Sequence, residues 1–213
     1  SSDVCSSDLI GPGEYGIFQN DKNFTIYEES SLRDVFVRMS QKGKLKNANL
    51  RAALIAAADR ESYAKNLMKD TFIAGKAPLP PSIDYGFNQL RDPNAYNVER
   101  AKALLKQEGY VDTNGDGIVD KDGENLVLDF YAYTSRSELP LYAEALQADY
   151  KKIGVDLHIK IVDYAVIDTL AQSGDYDMLI SSVVTANTGQ PVWFLKQYWG
   201  TGSETNGSGF FNP

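Results

Sequence analysis

Cysteine and histidine each occur once, as Cys5 and His158. A disulfide framework is therefore excluded, and a zinc centre lacks its usual Cys and His ligands. A Ser-His-Asp triad would have to be built on a single histidine. No stretch approaches the roughly 18 apolar residues that a membrane-spanning helix needs. Bases are also in short supply: 21 Lys and Arg against 29 Asp and Glu give a formal charge of −8. That balance argues against nucleic acid as a partner, because phosphate binding needs clustered cations. What remains is an ordinary globular composition, 43% apolar and 23% charged, of a length suited to one domain or one lobe of something larger.

Residues 1–9, Ser1-Ser2-Asp3-Val4-Cys5-Ser6-Ser7-Asp8-Leu9, show no apolar periodicity. Codons for this string can spell the end of a common sequencing-library adapter, so it reads as a non-native leader outside the fold. Setting it aside removes Asp3, Asp8 and the only cysteine, and leaves 27 acids against 21 bases, or −6. Cys5 as a lipid-anchor cysteine would require an apolar stretch before it, and the residues preceding it form none.

Residues 10–24 are rich in Gly, Asn and Asp and read as loop. Phe24 to Met39 is strand-like, interrupted by a polar turn at Glu28 to Ser31. Asn47 to Met68 reads as one helix, with Leu50, Leu54, Ala57, Ala64 and Met68 on one face and Asn47 or Asn49 as its cap. Pro78, Pro80 and Pro81 then impose an extended loop. A second helix runs from Asn97 to Glu108 and ends at Gly109.

Tyr110 to Tyr133 is expected to form a hairpin turning at Asp112–Gly117, with Leu126, Leu128, Phe130 and Ala132 alternating afterwards. A third helix spans roughly Ser137 to Ile153. Next comes the cleanest alternation in the chain, Val155, Leu157, Ile159 and Ile161 against Asp156, His158 and Lys160. A short helix at Ala165–Ala171 leads to the apolar run Met178–Ile180 with Val183 and Val184. This order implies a βαβ crossover joining neighbouring, parallel strands. The fold class is α/β.

The last strand opens into a small-polar loop, Thr185-Ala186-Asn187-Thr188-Gly189, followed by aromatics after Pro191. In open α/β sheets, ligands sit at the carboxyl ends of strands, so Thr185, Ala186, Asn187, Thr188, Gly189 and Trp193 are the candidate ligand-facing residues. Trp193 and Phe194 are adjacent and cannot both face inward on one helix. A second constellation, Asp112-x-Asn114-x-Asp116-Gly117-x-x-Asp120, matches the first positions of an EF-hand calcium loop. Its twelfth position is Gly123, and a strand rather than a helix follows, so Asx hydrogen bonding is the competing reading. His158 lies on the polar face of its strand and is expected to be solvated. No nucleophile–base pair stands near the loop. The chain is not read as an enzyme, and no cofactor is expected.

Several separated segments resemble, in order, the extracellular solute-binding proteins of peptide and nickel ABC transporters (family 5). They are Asn49-Leu50-Arg51-Ala52-Ala53-Leu54 through Ala58-Asp59-Arg60, Pro78-Leu79-Pro80-Pro81, Asn97-Val98-Glu99-Arg100-Ala101-Lys102-Ala103-Leu104-Leu105, Gly109-Tyr110, Asp116-Gly117, Ala145-Leu146-Gln147 to Lys152-Ile153-Gly154-Val155, and Asp175-Tyr176-Asp177. The resemblance covers about residues 33–213. It implies one lobe of a two-lobed periplasmic-binding-protein-like (type II) fold, a mixed sheet flanked by helices, with residues 10–213 a ligand-binding lobe truncated at both ends.

It also implies a substrate-binding component of an ABC importer that captures an oligopeptide or a nickel or metal-chelate ligand between two lobes and hands it to a permease. Such a protein works at the periplasmic or extracellular face as a lipoprotein, meeting the membrane only through a lipid anchor or the permease. In peptide-binding members, an aspartate of the loop pairs with the ligand's ammonium. Asn187 stands at that place here, able to accept a hydrogen bond but lacking the charge. Some nickel-binding members carry His and Arg just before the loop, where this chain has Ser182 and Val183. Asn187-Thr188-Gly189 is similar to Gram-positive members that take nickel or metal chelates. The alternative from another class is a calcium-stabilised extracellular structural or adhesion module built on Asp112, Asn114, Asp116 and Asp120.

Overall fold

The structure, a computed structural model, describes residues 12–206. The leader expected at residues 1–9 lies outside the described residues. In chain order the elements are α1 (Pro12–Gln19), β1 (Arg33–Met39), α2 (Ala48–Ala57), a single turn α3 (Arg60–Ser62), α4 (Val98–Gln107), β2 (Asp120–Lys121), β3 (Glu124–Asn125), β4 (Val127–Ala132), α5 (Glu138–Lys151), β5 (Asp156–Ile161), α6 (Tyr164–Ser173), β6 (Met178–Val184) and α7 (Val192–Trp199).

Four strands make the main sheet, in the order β1-β6-β4-β5. β4 runs parallel to β5 and to β6, and β1 closes the sheet antiparallel to β6. The sheet is therefore mixed. Leu128, Phe130, Ala132, Leu157, Met178 and Ile180 are buried in the same core as Leu50, Leu54, Leu139 and Tyr150 of α2 and α5. The link from β4 to β5 steps one way across the sheet and the link from β5 to β6 steps back over β4. Right-handed crossovers in opposite directions place their helices on opposite faces. In agreement, α5 donates from Gln147 Nε2 to the Leu157 carbonyl at 2.6 Å. On the other face, Ile167 and Ala171 of α6 join the core around Leu179.

Several expectations need correction. Residues 12–19, read as loop, form α1: Pro12 suits a first helical turn, and Asn20 Nδ2 caps the Gly16 carbonyl at 3.0 Å. The strand-like stretch from Phe24 narrows to Arg33–Met39. The helix read as Asn47–Met68 breaks after Ala57. Asn47 does cap it, accepting from the amides of Asn49 and Leu50. Ala58, however, is extended, and Asp59 caps a fresh turn through Ser62 N. The Asp59 amide that would have continued the helix donates instead to Asp149 Oδ2 on α5 at 2.9 Å.

The hairpin is smaller than expected. Its tight turn is Asp122-Gly123, both at positive φ (54° and 82°) as a type I′ turn requires. β4 leaves it to pair with β5 and β6. A strand burying Leu128, Phe130 and Ala132 needs partners on both edges, which an exposed loop cannot supply. β5 and β6 are parallel but not neighbours, since β4 lies between them.

The calcium module gains no support. Asp112 accepts from the amides of Gly115 and Gly117, Asp116 from Ile118 N, Asn114 Nδ2 and Asn125 Nδ2, and buried Asp120 from Thr113 N and Oγ1. These bonds, Asn125 first, pull the Asp116 carboxyl below its ordinary value. The carboxylates are thus turned toward the loop's own donors. Among the described residues, no group of three or more His, Cys, Asp or Glu is placed to hold a metal ion. Adding calcium or a chelator is expected to leave the melting temperature unchanged, and a calcium-dependent rise would restore the module.

Asp149 joins the helical layer to the break after α2. It is 4% exposed and accepts from Asp59 N, from the Tyr63 hydroxyl and from Lys152 Nζ (2.6 Å). Replacing it orphans buried donors, so Asp149→Ala should lower stability by about 2–4 kcal/mol, read from the urea midpoint.

Candidate ligand site at the carboxyl edge of the sheet

The site is set by where neighbouring strands send the chain. After β4 the chain turns to α5. After β6 it turns to α7, whose Phe194 and Tyr198 both pack edge-on against Phe36 of β1, with centroids 6.0 and 5.5 Å away. Phe36 pairs with Ser181, on the face opposite the one α5 covers. Adjacent parallel strands whose following segments diverge to opposite faces leave a crevice at their carboxyl ends, the place where open α/β sheets take ligands.

The ladder itself opens there. β4 and β6 pair only at Phe130–Met178 and Tyr131–Leu179. Beyond that point the Tyr133 hydroxyl, not a backbone carbonyl, accepts the Ser182 amide at 3.3 Å. From the other side, Arg33 Nη1 donates to the Ser182 carbonyl at 3.0 Å. Burial first, and then the neighbouring charge of Arg136, lower the Arg33 pKa. Tyr133 is 3% exposed and its phenol is raised by burial. Its ring meets that of Tyr164, at the start of α6, edge-on at 5.2 Å.

The six residues singled out by sequence divide into two sets. Thr185 and Ala186 are buried. Thr185 donates twice to the Leu32 carbonyl, from its amide at 2.8 Å and from Oγ1 at 2.9 Å. Asn187, Thr188 and Gly189 are exposed on a turn closed by Gly189 N donating to the Ala186 carbonyl at 3.1 Å. Gly189 has φ +75°, a conformation that suits glycine. Trp193 is 53% exposed while Phe194 is fully buried, so the adjacent aromatics do face apart. Gln190 Oε1 accepts from Tyr85 Oη at 3.4 Å. This contact brings in the Pro-rich segment, whose Pro78, Leu79, Pro80, Ile83 and Phe87 line an apolar depression of about 160 Å³. His158 is exposed and hydrogen-bonded to Asp156 at 2.9 Å, away from this edge.

Residues at the edge that sequence reading passed over are Arg33, Asp34, Tyr133 and Arg136. Tyr133 and Arg136 directly follow an alternating strand, a signal available in the sequence. Arg33 and Asp34 become visible only through the β1–β6 register. Asp34 Oδ2 is buried and, among the described residues, no group donates to it, and burial raises its carboxyl to about 7.

Together these features make an α/β unit with a mixed sheet and a crevice at the carboxyl ends of β4 and β6. The model of the bacterial extracellular solute-binding proteins, family 5 (middle), matches residues 3–206; the chain belongs to that family. It is 28% identical over 159 residues to the oligopeptide-binding protein AppA of Bacillus subtilis, covering 72% of this chain and 29% of that protein. With the nickel-binding protein NikA of Staphylococcus aureus it shares 25% identity over 181 residues, 84% of this chain and 34% of that one. The chain thus spans about a third of the length of these curated relatives.

Among solved structures, AppA from Bacillus subtilis in complex with a nonapeptide superposes with a TM-score of 0.72 at 26% identity, over 82% of this chain and 36% of that one. NikA from Brucella suis in complex with Fe(III)-EDTA gives 0.82 at 20% identity, over 93% and 39%, which shows the shared fold.

The raised Asp34 carboxyl has a definite stability signature. The unfolded chain loses its proton near pH 4 and the folded one near pH 7. The stabilising contribution is therefore complete below about pH 4, falls as pH rises to about 7, and is flat above. Asp34→Asn should remove that decline, so the wild-type-minus-variant difference in urea midpoint shrinks from pH 4 to pH 7. A constant difference would contradict it.

Proposed function

We propose that this chain forms one lobe of the substrate-binding component of an ABC importer, which captures an oligopeptide or a nickel or metal-chelate ligand between two lobes and delivers it to the permease. The observation that carries the reading is the crevice where β4 and β6 part. Beside it stand an exposed polar turn, Asn187-Thr188-Gly189, and the half-exposed ring of Trp193. Clefts for small ligands combine a large aromatic surface with a few placed polar groups. The division at the loop supports this: Thr185 and Ala186 anchor it to β1, while the next residues are free to meet a ligand. The relatives support both ligand classes, AppA by its nonapeptide complex and Staphylococcus aureus NikA by its name.

The chemistry asked of the lobe is binding without turnover. Asn187 offers an amide, the turn offers backbone N–H groups, and Trp193 offers an apolar cover. A second lobe closing over the ligand would be a population shift, driven by the tighter grip of the closed state. The membrane is met through the permease and a lipid anchor on the full-length lipoprotein, at the periplasmic or extracellular face.

Calorimetry of the full-length protein should show saturable binding of at least one ligand from a panel of peptides and nickel or iron chelates, with the ligand recovered unchanged. Binding should alter tryptophan fluorescence, and Trp193→Phe should abolish most of that change. A panel without any binder would defeat the importer reading. Fluorescence that responds equally in the variant would move the ligand away from this loop.

A further inference from the structure

Asp34 pairs with Val183 across the β1–β6 ladder, at the end of the sheet where β6 runs out into the exposed turn. The next residue inward on the same face of β1 is Phe36, covered by the aromatic rings of α7. Asp34 is therefore the outermost β1 side chain of that face. The residue is half-buried, yet its Oδ2 is closed off from solvent and receives no hydrogen bond among the described residues.

Buried polar atoms are nearly always paired, so an unpaired one at a binding edge calls for a partner from outside the chain. The cations at hand are committed elsewhere. Arg33 holds the Ser182 carbonyl. Arg38 donates to the Thr205 carbonyl and lies over the Tyr198 ring at 5.2 Å.

We propose that Asp34 is the anionic anchor of this site and takes the protonated amine of the ligand. The proposal rests on the reading of the chain as a ligand-binding lobe and deepens it. Asn187 on the loop carries no charge, and Asp34 is the carboxyl that the β1–β6 ladder brings to this edge. A peptide presents such an ammonium at its free N-terminus, whereas an amine that chelates a metal has given its lone pair to the metal and is unprotonated, so the anchor is one for peptides and the nickel(II)–histidine complex is the contrasting probe.

Binding then has a proton balance. Burial keeps Asp34 protonated up to about pH 7. As the ammonium arrives, the carboxyl O–H breaks, its proton passes to buffer, and the carboxylate accepts the N–H groups of the ligand. The other ionisable groups of these elements interact with one another: Arg33 on β1 with Tyr133 and Arg136 after β4 and Glu138 on α5, and Arg38 on β1 with Tyr164 on α6 and Tyr198 on α7, both of which also feel Asp168 of α6. Burial pushes Tyr133, Tyr164 and Tyr198 upward, away from neutrality.

The test is calorimetry of the full-length protein and its Asp34→Asn variant. The probes are dialanine, tetra-alanine, their N-acetylated forms and the nickel(II)–histidine complex, in two buffers of different ionisation enthalpy at pH 6. Circular dichroism confirms that the variant keeps its fold. An amine probe that binds wild type is expected to release a proton, to weaken roughly tenfold or more in the variant, and to bind wild type more tightly than its acetylated form. Equal affinity and equal proton release in the variant would overturn the role of Asp34 while leaving the solute-binding reading intact. Proton release by wild type alone, which needs no variant, gives an independent check. If no probe binds wild type at all, the lobe reading fails and the anchor with it.

Discussion

The antiparallel pairing of β1 with β6 is the constraint on which the rest of the site depends. It runs from Arg33–Val184 to Met39–Met178 and is finished by Thr185, whose amide and hydroxyl both bond the Leu32 carbonyl. This pair of hydrogen bonds fixes the end of β6 and hence the first exposed residue of the loop. It also brings Arg33 and Asp34, about 150 positions earlier in sequence, to the same edge. A strand register is set by which side chains must face the core. Here Val35, Val37 and Met39 pack against the core with Met178 and Ile180, and Arg33 is carried to the edge as a consequence.

Given that register, the crevice follows from topology. β4 is parallel to both its neighbours, so its carboxyl end and that of β6 lie side by side while their following segments go to opposite faces. The separation is physical: ladder pairing stops after Tyr131–Leu179, and the Tyr133 phenol serves the amide left over at Ser182. A buried tyrosine hydroxyl in place of a backbone carbonyl keeps the sheet polar-satisfied as its strands diverge. The helical layer beneath is held by a different device, the buried Asp149 carboxylate, which gathers donors from the break after α2 and from α5.

The elements with strong periodicity were legible. β4, β5 and β6, the α4 and α5 helices and the Asn47 cap follow from alternation, helical spacing and capping chemistry, because those signals are local. The break after Ala57 was not, since its cause is a carboxylate on α5 far along the chain. Nor was α1, whose glycines hid a short helix capped from Asn20. The hairpin at Tyr110–Tyr133 misled because turn residues occur twice, at Asp112–Gly117 and at Asp122-Gly123, and only the second makes the tight turn.

The same division holds at the site. Residue type and spacing alone said that a small-polar loop follows a buried strand and that Trp193 and Phe194 must part company. These conclusions rest on residue type and spacing, which a chain carries wherever it goes. The folded chain alone puts β4 between β5 and β6, buries Thr185 and Ala186 while Asn187, Thr188 and Gly189 stay exposed, and brings Asp34 to the edge with no donor to its Oδ2 among the described residues. Those facts depend on register and strand order. Both are chosen by the burial of the whole core, and no short stretch of sequence encodes them.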